Sequence, residues 1–216
     1  MKKRIFIIVI FIIISVILVA LLYFFYTIPH KQYSNSDFDI ETYISSVDKD
    51  NDGIDDQTDI LNNVRTYIAK KPKYKSKYYE TGYPNDEYGV CTDVVATGKD
   101  AGYDLKELVN EDIINNKEKY NIEVIDKNID FRRVRNLDVY LKNNSISLTK
   151  DLSQIEEWQG GDIIVFKDHI GIISDKRNKK GIPFLIHHAN PIQVNYEEDV
   201  LELYGQDYII GHYRIS

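Results

Sequence analysis

The sequence predicts an α+β domain behind one apolar N-terminal segment. Three observations carry that expectation. Residues 37 to about 143 place apolar side chains at helical spacing, whereas residues 158–216 hold short β-branched runs. The two textures follow one another without regular alternation, which argues against a parallel βαβ architecture. The only long apolar run lies at the N-terminus, so a polytopic membrane protein is excluded. With 43% apolar and 28% charged residues among 216, the chain is neither disordered nor fibrous.

From Ile5 to Tyr26 the chain is apolar apart from Ser15, and at 1.5 Å per residue this run reaches about 33 Å, enough to cross a bilayer. Lys2, Lys3 and Arg4 precede it, and the positive-inside rule places this tip, residues 1–4, in the cytoplasm. A signal peptide competes with this reading. Its apolar core is normally shorter, and the end Leu21-Leu-Tyr-Phe-Phe-Tyr26 is a poor cleavage context. The expectation is an uncleaved single-pass anchor over 5–26, a linker over 27–36 and an extracytoplasmic remainder. Without the three basic tip residues, 24 basic groups face 34 acidic ones, a net charge of −10. No basic stripe is read beyond the tip, so nucleic acid is not an expected partner.

Phe38, Ile40, Tyr43, Ile44 and Val47 predict one amphipathic helix, and Ile60, Leu61, Val64, Tyr67 and Ile68 a second. Between them, residues 48–59 read Asp-Lys-Asp-Asn-Asp-Gly-Ile-Asp-Asp-Gln-Thr-Asp. The spacing matches an EF-hand loop, with Asp48, Asp50, Asp52 and Asp56 as carboxylate ligands and Ile54 offering its carbonyl. Asp59 stands where a bidentate Glu is usual. An EF-hand-like helix-loop-helix over 37–69 holding a structural calcium ion is the expectation, against a plain solvated acidic turn.

Lys70 to Tyr88, with Pro72, Gly82 and Pro84, reads as loop. Cys91 to Ala101 reads as a helix capped by Gly102, followed by helices at Leu105–Tyr120 and Leu137–Leu141. Strands are expected at 162–166, 169–173, 183–187 and 208–214, with turns at Gly160-Gly161 and 176–181. Runs this close in sequence predict an antiparallel meander or small open barrel.

One cysteine excludes a disulfide framework and a multi-cysteine zinc site. Cys91 follows a loop and opens a helix, where the macrodipole favours a thiolate. His169 begins one expected strand and His187 ends the next, so they can meet across a hairpin. A buried cysteine is equally often an apolar filler, and each histidine a satisfied core residue.

The segments Gly89-Val-Cys91-Thr-Asp-Val-Val, Trp158-Gln-Gly-Gly-Asp162-Ile-Ile, His169-Ile-Gly-Ile-Ile and Leu185-Ile-His187 resemble the NlpC-type branch of papain-like cell-wall hydrolases. Asn128-Ile-Asp-Phe-Arg-Arg-Val-Arg-Asn-Leu137 and Gly211-His-Tyr-Arg214 are similar to a narrower family, domain of unknown function 1287. The resemblance implies a papain-like domain over 70–216, with Cys91 as nucleophile, His169 as base and His187 as orienting residue. It implies a tyrosine before the cysteine as oxyanion donor, for which Tyr78 and Tyr79 are the candidates. The family pattern Asp-Cys-Ser-Gly reads Val-Cys-Thr-Asp here, so contacts near the nucleophile differ. Arg132 and Arg133 are read either as a clamp on a substrate carboxylate or as a brace for the acidic loop. The implied activity is hydrolysis of amide bonds in peptidoglycan peptides. Acyl or peptidyl transfer, a non-catalytic wall-binding module and a calcium-dependent adhesion protein are the alternatives.

Overall fold

The computed structural model describes residues 2–24 and 30–215. Phe25 and Tyr26, the end of the expected anchor, and residues 27–29 of the linker lie outside these. Helix α1 (Lys2–Phe24) is apolar after its basic start apart from Ser15, is not buried among its described side chains, and is long enough for a membrane span or a signal sequence. The remainder is mixed α+β. Helices α2 (Asp56–Ala69), α3 (Cys91–Val95), α4 (Leu105–Asn115), α5 (Lys127–Asp130) and α6 (Val134–Asn144) come first. Within this half, β1 (Lys73–Tyr74) and β2 (Tyr88–Gly89) form a short parallel pair inside the expected loop.

The main sheet is antiparallel throughout. It contains β3 (Ile146–Ser147), β4 (Ile163–Phe166), β5 (Ile170–Arg177), β6 (Pro183–Ile186), β7 (Glu197–Glu198) and β8 (Ile209–Arg214). Its order is β3-β8-β4-β5-β6-β7. Strands β4, β5 and β6 form the expected meander and β7, not among the expected strands, extends it, while β8, expected to continue the meander, instead crosses back after the one-turn helix α7 (Leu201–Tyr204) to pair with β4.

The unbroken Ile-Ile-Val-Phe of β4 records a strand covered on both faces. Ile163 and Val165 point into a core shared with α2, α3, α4 and α6, against Val64, Val94, Val109 and Leu137. Ile164 and Phe166 point to the opposite core, built around Trp158, Leu152 and Leu201.

The helix expected over Phe38–Val47 does not form. Asn35–Phe38 is a 3-10 turn, and 39–55 are irregular apart from it. Buried Gln159 takes the place of the helical ladder. Its Oε1 accepts from the Tyr43 N–H (3.2 Å) and from Asn35 Nδ2 (3.0 Å), and its Nε2 donates to the Glu41 carbonyl (3.1 Å). The acidic loop is therefore followed by a helix but not preceded by one. A second buried network binds this region to the sheet. Asp162 accepts from Arg214 Nε (2.7 Å), from Gln57 Nε2 (2.8 Å) and from the Gln159 N–H (2.9 Å), with His212 Nε2 at 3.1 Å. Trp158 stacks on His212 at 3.8 Å. The Trp-Gln-Gly-Gly-Asp and Gly-His-Tyr-Arg motifs are thus two halves of one structural network.

Candidate active site

Cys91 is the first residue of α3, delivered there by β2. Gly89 has no room for a side chain, since the Tyr67 hydroxyl lies 2.1 Å from where a Cβ would stand. Asp93 closes the first turn: its Oδ2 accepts the Val90 N–H at 2.9 Å. Arg132 in turn grips Asp93 with two bonds, Nε to Oδ1 at 2.9 Å and Nη2 to Oδ2 at 2.8 Å, both side chains only 2% exposed. Arg132 also donates to the Lys77 carbonyl (2.7 Å). It therefore braces neither the acidic loop nor a substrate carboxylate, but the turn that aims Cys91. Arg133 pairs with Asp130 at 3.2 Å, half exposed.

The Cys91 sulfur faces the backbone N–H of Ile170, the first residue of β5 and the neighbour of His169. Gly171 allows β5 to pass β6 here, because a Cβ would lie 2.7 Å from the Ile186 carbonyl oxygen and 3.2 Å from the His187 Cβ. His169 Nε2 lies 2.8 Å from His187 Nδ1, and His187 Nε2 lies 3.0 Å from Glu198 Oε2. The histidines expected to meet across the hairpin do so. Glu198, absent from the sequence reading, ends the series. It sits in a two-residue acidic strand that carries neither β-branched residues nor alternation.

Glu198 fixes the protons of this relay. A carboxylate accepts, so His187 carries its hydrogen on Nε2 and offers the Nδ1 lone pair. His169 must then donate from Nε2, which leaves its Nδ1 unprotonated and able to act as a base. Tyr204 of α7 covers the pair, its ring stacked on His169 at 6.0 Å and edge-on to His187 at 6.1 Å.

Burial decides the charge state. It pushes the Cys91 thiol up to about 11, against the N–H groups of Ile170, Thr92 and Cys91 itself, which favour the thiolate. Burial, and then the neighbouring His187, pull His169 down to about 3. The dipole expected to favour a thiolate belongs to a five-residue helix and does not prevail. Both shifts favour the neutral forms, thiol and imidazole. Alkylation of Cys91 by iodoacetamide should therefore be slow at pH 6. It should rise about tenfold per pH unit and keep rising past pH 8.5, where a free cysteine levels off. A rate that is already flat by pH 7 would show a stable ion pair instead.

Neither expected oxyanion tyrosine reaches the thiol. Tyr78 donates to Asp126 (3.1 Å), and Tyr79 to Asp86 (2.8 Å). Tyr74 of β1 and Tyr204 both lie near the thiol: burial first, and the Cys91 charge, raise the pKa of each hydroxyl. Nothing in the Lys/Tyr-rich stretch around Tyr74 sets it apart. His188 is buried beside Tyr74, edge-on at 5.2 Å, with its Nδ1 unpartnered. His30 stacks on Tyr23 at 3.9 Å and is not part of the site.

In the acidic loop, one oxygen from each of Asp48, Asp50 and Asp52 lies within 4.8 Å of the others. Asp59 is 7% exposed, and its pKa is raised by burial and by Asp52 and Asp50. Asp56 departs from the expected set: it starts α2 and accepts from the Lys49 N–H (2.8 Å) and the Tyr103 hydroxyl. Ile54 is 39% exposed beside the cluster and donates its N–H to Asp52 Oδ1 (2.8 Å).

Residues 61–215, most of the chain and every residue of the relay, match the sequence profile described as "Domain of unknown function (DUF1287)". The chain belongs to the DUF1287 family. It is also similar to "Uncharacterized protein YijF" of Escherichia coli (strain K12), 31% identical over 169 residues, covering 72% of this chain and 80% of that one. No solved structure matches it. The family boundary begins within α2, so the acidic loop lies before the matched region.

Proposed function

We propose that this DUF1287 member is a membrane-anchored, extracytoplasmic cysteine hydrolase of papain-like, NlpC-type chemistry, cleaving amide bonds in peptidoglycan peptides. The observation that carries it is the chain His169, His187 and Glu198, beside a helix-start Cys91 whose sulfur faces the N–H of Ile170, the residue after His169. His169 Nδ1 removes the thiol proton as sulfur attacks the carbonyl carbon. The oxyanion is held by the Cys91 N–H, an unpaired donor of the first helical turn, and by the Tyr74 hydroxyl. His169 returns the proton to the leaving amine, then takes one from the water that hydrolyses the thioester. His187 and Glu198 hold the tautomer. Hydrolysis is favoured over transfer because this sequence of steps needs only water as acceptor.

The test is to incubate the full chain, and its Cys91→Ser variant, with purified peptidoglycan and to identify released fragments by mass. New amine termini with the wild type alone are expected. Intact material that co-sediments with both proteins would instead indicate a binding module.

The same reading gives the acidic loop a structural calcium ion held by Asp48, Asp50 and Asp52, with the Ile54 carbonyl and Asp59 completing the set. Outside the cell a dissociation constant near 10⁻⁴–10⁻³ M suffices. Five millimolar calcium should then add roughly 1–2 kcal/mol, a Tm rise of a few degrees. Asp48→Ala with Asp52→Ala should remove that rise. Identical melting curves in calcium and in chelator would refute the assignment.

A further inference from the structure

Strand β7 has two faces, since successive residues of a strand point to opposite sides. Glu198 points to His187, and Glu197 lines a cavity of about 470 Å³ that the hydrolase reading does not use. Three cations line that cavity: Arg65, Lys71 and Lys176. Arg65 and Lys176 share Glu197 at 2.8 and 2.6 Å, and Arg65 also grips Asp175. Lys71 is exposed and forms no ion pair among the described residues.

Its backbone is informative. Lys71 holds φ at 51°, the left-handed region where glycine or asparagine normally ends a helix, and its N–H bonds the Ile68 carbonyl at 2.9 Å. A lysine kept there projects an uncompensated charge at the cavity. Lys70 precedes it in the chain, while Lys73 is paired with Glu87 at 3.5 Å. The apolar part of the wall is formed by Ile68, Ala69, Phe184 and Val194, and Asn195 and Tyr196 add polar groups. His30 and Gln32 complete it, and His30 stands six residues beyond the end of α1. Six residues span at most about 20 Å, so the cavity is tied close to the apolar helix.

Cationic and apolar walls side by side, near a membrane-length helix, suit a ligand that is anionic at one end and apolar at the other. We propose that the cavity binds the headgroup of an anionic phospholipid. The phosphate meets Lys71 and the exposed edge of Lys176, and the glycerol and upper acyl carbons lie on Ile68, Ala69 and Val194. The site is separate from the thiol, and the proposal does not require the chain to be a hydrolase.

The test uses the full chain in neutral detergent, titrated with dioctanoyl phosphatidylglycerol, dioctanoyl phosphatidylcholine or sodium phosphate at equal concentration. Phosphatidylglycerol should raise the Tm saturably, by about 3–5 °C, and the other two should not. Lys71→Glu with Lys176→Gln should abolish the rise, while Cys91→Ala should keep it, which separates this result from any failure of the catalytic reading. Equal shifts with both lipids would overturn the proposal. So would a phosphate shift matching that of phosphatidylglycerol, which would mark a site for free anions, or a rise that persists in the double variant.

Discussion

Alanine in place of His169 should lower kcat/KM on peptidoglycan peptides by about 10²–10⁴-fold, the usual contribution of a positioned general base. Cys91→Ala should abolish turnover altogether, because no other side chain can form the thioester. His187→Ala and Glu198→Gln act through His169 and should cost less, with a distinct signature. Glutamine at 198 can present its amide N–H to His187, which permits the opposite tautomer and puts a hydrogen on the His169 nitrogen that should be the base. Glu198→Gln should therefore lower kcat more than it raises KM, and Glu198→Asp should recover part of the loss. Activity within fivefold of wild type in His169→Ala would mean that the imidazole is not the base.

The second large effect is on stability. Arg132→Met leaves the Asp93 carboxylate buried without its cation, and breaking such a pair typically costs about 3–5 kcal/mol. For a domain of this size the Tm should fall by roughly 6–20 °C. Asp93→Leu together with Arg132→Met removes both charges and should recover at least half of that loss, since apolar replacements of buried pairs are often tolerated. The recovered double variant should nevertheless turn over poorly, because Asp93 also caps the turn that bears Cys91. Thermal denaturation of the three variants decides this. A single variant that melts within 2 °C of wild type would show that the pair does not hold the turn.

What could be read from the sequence was what local pattern encodes. The β-branched runs became β4, β5, β6 and β8; the helix expected over Cys91–Ala101 is α3 continued by a 3-10 helix, Ala96–Ala101, which Gly102 ends with φ at 81°. Cys91, His169 and His187 were found because a helix start and two strand ends are local features. What escaped depended on partners far along the chain. Residues 39–47 carry helical periodicity, yet Gln159, more than a hundred residues away, supplies their backbone partners. Arg132 looks like any exposed cation until Asp93, 39 residues earlier, is placed beneath it. Glu198 and Tyr74 lie on two-residue strands, too short to show any period.

The stitch between Tyr33 and Arg177 has a mechanical consequence. Their backbones exchange two hydrogen bonds, 2.9 and 2.7 Å, and the Arg177 guanidinium is caged by Asn35 and by the carbonyls of Ile155, Gly181 and Trp158. Tyr33 is therefore fixed to the end of β5. Nine residue steps lead from Phe24 to Tyr33, a reach of at most about 32 Å. If α1 spans a bilayer, the thiol stays within that reach plus the width of the domain from the membrane surface. On the hydrolase reading proposed above, lengthening the connection with glycine and serine, without touching the site, would let cleavage reach peptides farther from the membrane.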